Sequence, residues 1–151
     1  MVTTVHSTDE FHALTGEHLG WSDWFVVDQA RVNLFADATD DHQWIHVDPD
    51  RAAGGPFGGP IAHGYLTLSL IPALIHEVLD VQGMTFGVNY GCNKVRFPAP
   101  VKVGAKVRLG AQVASVENVE GGVQVVLAVT LTTEDGGKPS CVADVVYRYY
   151  W

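Results

Sequence analysis

Titratable side chains crowd one short stretch of the chain, Asp40-Asp41-His42-Gln43-Trp44-Ile45-His46-Val47-Asp48-Pro49. Asp41 and His46 are too far apart for neighbouring turns of one helix face, yet close enough for an irregular segment to fold them toward one point. A carboxylate and an imidazole that share a water form a general acid/base arrangement, in which one removes a proton and the other supplies one. The same residues suit a plainer role, with Asp41 capping a turn and His46 a hydrogen-bonded polar residue. Spacing alone does not choose between the two. His42 and His46 also stand at i,i+4, the spacing of two zinc ligands on a helix. Pro49 opposes a helix there, and no third ligand follows at fixed spacing.

A second feature is Gly58-Gly59-Pro60-Ile61-Ala62-His63-Gly64-Tyr65. A Gly-Pro step before an apolar run places a helix start near His63 or Gly64. The first N–H groups of that helix point out of it, with the positive end of the dipole behind them. Gly64 has no side chain to keep a ligand from this backbone, which makes an anion or oxyanion site. Tight packing is an equally good reason for the glycine. The run GGPFGG lacks the Gly-Lys-Ser/Thr of a phosphate loop, and the absence of Gly-x-Ser-x-Gly excludes an α/β-hydrolase. Cys92 and Cys141 have no CxxC spacing and no adjacent metal ligands, and both are expected to be buried reduced thiols in strands.

These residues need elements to hold them. Ser7-Thr8-Asp9-Glu10 has capping-box spacing and Gly16 supplies a stop, so a short helix carries Phe11 and Leu14 inward. Trp24 to Val27 reads as a brief strand. Asp28 caps a second helix, with Ala30, Leu34 and Ala38 on one stripe and Phe35 beside it. Asp, His, Gly and Pro break the pattern from Thr39 to Pro60. Gly64 to Leu79 is apolar on nearly every face and reads as a buried helix, kinked or split by Pro72. After Gly83 the chain is strand-like, with period-two alternation in Val123, Val125, Leu127, Val129 and Leu131. Gly121-Gly122 and Asp135-Gly136-Gly137 are hairpin turns. Strands at 83–101, 106–120, 123–134 and 140–150 suit an antiparallel meander wrapped on the buried helix. The class is α+β, with one domain over residues 1–151.

Composition narrows the function. The chain has 151 residues, 47% of them hydrophobic, and a formal net charge of −8. Such a balance excludes intrinsic disorder and makes binding to nucleic acid or an anionic membrane unexpected. Only 17% of residues are charged, which suggests that another subunit covers part of the surface. No cationic segment precedes an apolar stretch, so a cytoplasmic protein is expected. Against the acidic whole, Lys94, Arg96, Lys102, Lys106 and Arg108 form a local positive zone. It suits a ligand that carries phosphates, or equally a solvated strand edge.

The stretch LFADATDDHQWIHVDPDRAAGGPFGGPIAHGYLTLSL, followed by NKVRFPAPVKVG, resembles the hydratase motif of the MaoC-like dehydratases, the (R)-specific enoyl-CoA hydratases. The likeness spans residues 24 to 104. It implies a hot-dog fold, in which an antiparallel sheet wraps a long helix, and a homodimer with active sites between subunits. Carried over, the catalytic pair falls on Asp41 and His46, and the glycine whose N–H polarises the thioester oxygen falls on Gly64. The activity implied is hydration of trans-2-enoyl-CoA to (3R)-3-hydroxyacyl-CoA, reversible as a dehydration. Acyl-CoA is then the substrate, with acyl carrier protein as another possible carrier and no metal or redox cofactor needed. A non-catalytic thioester-binding or interaction protein, or a thioesterase, are the alternatives. Many relatives have Asn-Pro where this chain has Gln43-Trp44, which bears on the turn geometry and on whether Trp44 shapes the acyl pocket.

Overall fold

The computed structural model describes residues 1–151. Its elements run β1 (Thr3–Val5), α1 (Thr8–Ala13), β2 (His18–Trp21), β3 (Phe25–Val26), α2 (Gln29–Thr39), α3 (Trp44–Val47), α4 (Pro49–Ala53), α5 (Gly64–Ser69), α6 (Ile71–Ile75), β4 (Leu79–Val81), β5 (Phe86–Arg96), β6 (Lys106–Val119), β7 (Gly122–Thr133) and β8 (Cys141–Tyr150). This is the expected α+β arrangement. No helix is long and apolar enough to cross a membrane.

The antiparallel sheet has the order β2-β6-β7-β8-β5, with β3 also paired to β6. Alternation along β7 explains its packing. Val123, Val125, Leu127, Val129 and Leu131 are all buried, while the residues between them are half-exposed. They join Leu66, Leu70, Ile71 and Leu74 in one core, so the inner face of the sheet closes over α5 and α6. Burial of such side chains is worth about 1.5–3 kcal/mol each.

The expected meander is incorrect at one strand. β5 pairs with β8 rather than with β6, its successor in sequence. β6 is flanked by β7 on one side and by β2 and β3 on the other, which leaves no edge for β5. The connection after β5 is bonded to the segment before α5 and to the residue after β3: Ala62 N–H donates to Val101 O (2.8 Å), Val103 N–H to Pro60 O (3.0 Å) and Gly104 N–H to Val27 O (2.7 Å). The long edge strand β5 is left exposed along most of its length.

Three other expectations are corrected. The apolar helix does split beside Pro72, with Leu70 ending α5 and preceding α6, but it stops near His76. Leu79 belongs to β4, which pairs in parallel with β1. On α2 the buried residues are Val32 and Ala36, not Ala30, Leu34 and Ala38, because Val32, Phe35 and Ala36, at i, i+3 and i+4, form the stripe that meets the core. Leu34 is therefore 69% exposed. Cys141 is buried as expected, and burial pushes its thiol up to about 11. Cys92 lies on β5 and is exposed.

Candidate active site

Asp41 takes its place from the way α2 ends. Asp40 adopts the left-handed region (φ 59°), which a short polar side chain tolerates, and this turns the chain out of the helix. Asp41 follows, exposed, with Oδ1 3.5 Å from the Gln43 N–H. α3 begins three residues later without a side-chain cap and carries His46 inward to 6% exposure.

His46 is held from two sides. Its Nδ1–H donates to the Ile61 carbonyl at 2.6 Å, and its own carbonyl accepts from Gln29 Nε2 at 2.8 Å. Ile61 N–H donates to Ile45 O (2.9 Å), so the segment before α5 grips α3 through backbone groups. Because a carbonyl can only accept, the neutral ring carries its proton on Nδ1 and presents a lone pair at Nε2. Burial lowers the His46 pKa from its ordinary 6.5, and the neighbouring His63 pushes the same way. The Ile61 hydrogen bond and Asp41 oppose that shift without overcoming it. The ring is neutral near pH 7.

His63, just before α5, completes the cluster. It is 3% exposed and its Nε2–H donates to the Asp41 carbonyl at 2.9 Å. Its ring stacks on that of His46, with centroids 3.8 Å apart and planes 21° apart. An oxygen of Asp41 and one nitrogen from each histidine lie within 4.8 Å of one another. Such a donor set could attract a cation, but a metal sits about 2.0–2.1 Å from each nitrogen, in the plane of its ring. Two rings stacked face to face hold their lone pairs in separate planes, so the cluster is a poor fit for a metal.

Gly64 is the first residue of α5, and its N–H has no acceptor within the chain. It lines a cavity of about 400 Å³ with Phe57, Ile61, Thr67 and Phe97. A Cβ here would meet the Phe97 ring at 3.0 Å, so the close-packing reason for a glycine holds as well. A separate groove of about 240 Å³ runs between α5–α6 and the β5–β8 pair, lined by Leu68, Ile71, Pro72, Cys92 and Tyr147 among others.

The remaining candidates separate. His42 lies outside α3 and bonds to Asp37 Oδ1 at 2.9 Å, which removes the helical pair of zinc ligands. Trp44 does not border either cavity: the Arg51 guanidinium lies 4.4 Å from its ring centroid, and the ring packs where a Cβ on Gly55 would stand. The positive zone is partly spoken for. Lys106 pairs with Glu134 at 3.9 Å, and Arg108 is sandwiched between Trp21 and Trp24. Lys94 stands opposite Asp144 across the β5–β8 pair. Sequence reasoning missed the supports, Gln29, the Ile61 carbonyl and His63. Only His63 left a trace, as the neighbour of Gly64.

The MaoC like domain family matches residues 10–135. A Mycobacterium tuberculosis protein named 3-hydroxyacyl-thioester dehydratase Z is 52% identical over 147 residues, covering 97% of each chain. The (R)-specific enoyl-CoA hydratase of Aeromonas caviae is 34% identical over 86 residues, 57% of this chain and 61% of its own. The solved structure of the (R)-hydratase from A. caviae involved in PHA biosynthesis superimposes with a TM-score of 0.72 at 26% identity. That match covers 88% of this chain and 94% of the other.

Proposed function

The chain belongs to the MaoC-like dehydratase family, a hydro-lyase with the hot-dog fold, and from this we propose that it hydrates trans-2-enoyl-CoA to (3R)-3-hydroxyacyl-CoA, reversibly. The observation that carries the reading is the approach of the Asp41 carboxylate to a neutral His46 whose Nδ1 is committed to Ile61.

In hydration, water adds at C3 of the enoyl thioester and electron density moves through the double bond to the thioester oxygen. Both the Asp41 carboxylate and His46 Nε2 can accept a hydrogen bond from that water. The pair takes one proton from it and returns one to C2, a contribution of about 10²–10⁴ in rate. The Gly64 N–H meets the charge on the thioester oxygen, which for one such donor is worth about 2.7–4 kcal/mol. Dehydration runs the same steps backward. Proton transfer and charge stabilisation suffice, so no metal or redox cofactor is required. The whole chain, 1–151, acts as one catalytic domain. Coenzyme A is the proposed carrier, with an acyl carrier protein as the other source of the same thioester. Arg96 and Lys102 are the basic residues of the zone with no facing carboxylate and no tryptophan stack, and they suit the carrier phosphates.

β5 supports a homodimer. An edge strand of 11 residues leaves unpaired backbone donors and acceptors along its free side, and it exposes Phe86, Val88 and Tyr90. A second copy pairing edge to edge would satisfy both.

Incubation with crotonyl-CoA tests the reading. Loss of the enoyl thioester absorbance with a (3R)-3-hydroxybutyryl-CoA product supports it. Free coenzyme A, trapped by a thiol reagent, would show a thioesterase. Tight binding without turnover would show a non-catalytic thioester-binding protein.

A further inference from the structure

Two buried imidazoles stacked face to face need a reason, since each loses hydration and neither can bond the other through its ring face. Of the two imidazoles, only that of His46 handles a proton in the mechanism above. His63 nevertheless makes the contacts that tie the site together. It donates to the backbone carbonyl of Asp41 across a sequence gap of 22 residues. It covers one face of the His46 ring, and its other surroundings include the Phe35 ring at 4.9 Å. Its own backbone leads directly into Gly64, and its carbonyl accepts the Thr67 N–H that closes the first turn of α5. Its Nδ1 is buried without a partner, so the ring is retained despite an unsatisfied nitrogen. A residue kept only for packing would more cheaply be apolar.

Resting on the hydratase reading, we propose that His63 is a positioning residue: it fastens the Asp41 backbone to the start of α5 and supplies the surface on which His46 lies, so that carboxylate, imidazole and Gly64 N–H keep one arrangement. Asp41 has an exposed side chain and only a long bond to Gln43, so the tie to its carbonyl does the orienting. His46 is fixed within its ring plane by Ile61 and against tilting by His63. Asp41 and His63 are the two titratable groups that act on His46; the other groups holding it, Gln29 and the Ile61 carbonyl, are neutral. His63 thus also favours the neutral, proton-accepting form of its neighbour.

Two substitutions separate the parts of this role. His63→Phe keeps a ring against His46 and removes the donor to Asp41. His63→Gln keeps an N–H and removes the ring. Each is expected to lower kcat for crotonyl-CoA by about tenfold to a hundredfold, as a misplacement near 1 Å does elsewhere, with KM changed far less. In His63→Gln the acid limb of the pH profile moves to higher pH, because His46 loses a neighbour that resists its protonation. Wild-type kcat in the Phe variant overturns the tie to Asp41; wild-type kcat and an unmoved limb in the Gln variant overturn the support of His46. Asp41→Asn and His46→Gln are assayed beside them. Turnover surviving in those two defeats the hydratase reading itself, whatever His63 does. If neither His63 variant folds, the imidazole ¹⁵N signals of the unaltered protein decide. Nε2–H on His63 with Nδ1–H on His46 supports the arrangement, and the opposite tautomer on either ring overturns it.

Discussion

The strap from Thr39 to Gly64 and the inner face of β6, β7 and β8 are built on different physics. The strands hold their place by alternation: every second residue of β7 is an aliphatic side chain sunk in the core. The strap has few such anchors. It is held by directed contacts, His46 to Ile61, Gln29 to His46, His63 to Asp41 and Trp44 to Arg51. Hydrophobic burial is nondirectional and sums to most of the stability. Hydrogen bonds each add little net stability but fix direction. Directed contacts of this kind are what the proposed Asp41–His46 pair would need to aim at one water, with the sheet as the support of the strap.

This contrast can be broken by experiment. The largest effect is expected in the strap: Asp41→Asn or His46→Gln should cut the hydration rate about 10²–10⁴-fold while leaving the thermal midpoint nearly unchanged. A large fall in the midpoint would make the pair structural instead. In the sheet the pattern should invert. Leu127→Ala, at a fully buried position, should lose about 2–5 kcal/mol in denaturant unfolding while the folded fraction keeps its specific activity.

Gln29→Ala probes the boundary between the two regions. It leaves the His46 carbonyl without its donor and should cost about 1–3 kcal/mol, with a loss of kcat smaller than that of the dyad variants. The smallest effect is in pH. Because burial holds the His46 pKa below 6.5, the unfolded chain binds the extra proton first as pH falls. The active neutral form should persist through pH 6.5, and the acid limb of kcat/KM should lie below that value. A limb above it would mean that His46 is not the group titrating.

The two regions also differed in how far the sequence revealed them. β7 was legible because period-two alternation is local, and the convergence of Asp41 with His46 and the helix start at Gly64 were legible because those residues lie in one short stretch. β1 and β4 carry no such signal, since each has three residues and their pairing spans about half of the chain. The place of β5 depended on the path of residues 97–105, which the prolines permit but do not specify. The buried face of α2 depended on which of two overlapping apolar stripes meets the core, Val32, Phe35 and Ala36 or Ala30, Leu34 and Ala38, a choice made by tertiary contact. His63 was visible as a residue and silent as a partner, because its bonds and stack join positions 22 and 17 residues away.

The shared water is tested most directly by a double-mutant cycle on crotonyl-CoA hydration, with Asp41→Asn, His46→Gln and the two combined. If the carboxylate and the imidazole act on one water, the double variant will be no slower than the slower single variant. If the two losses multiply, the groups act independently and do not share it.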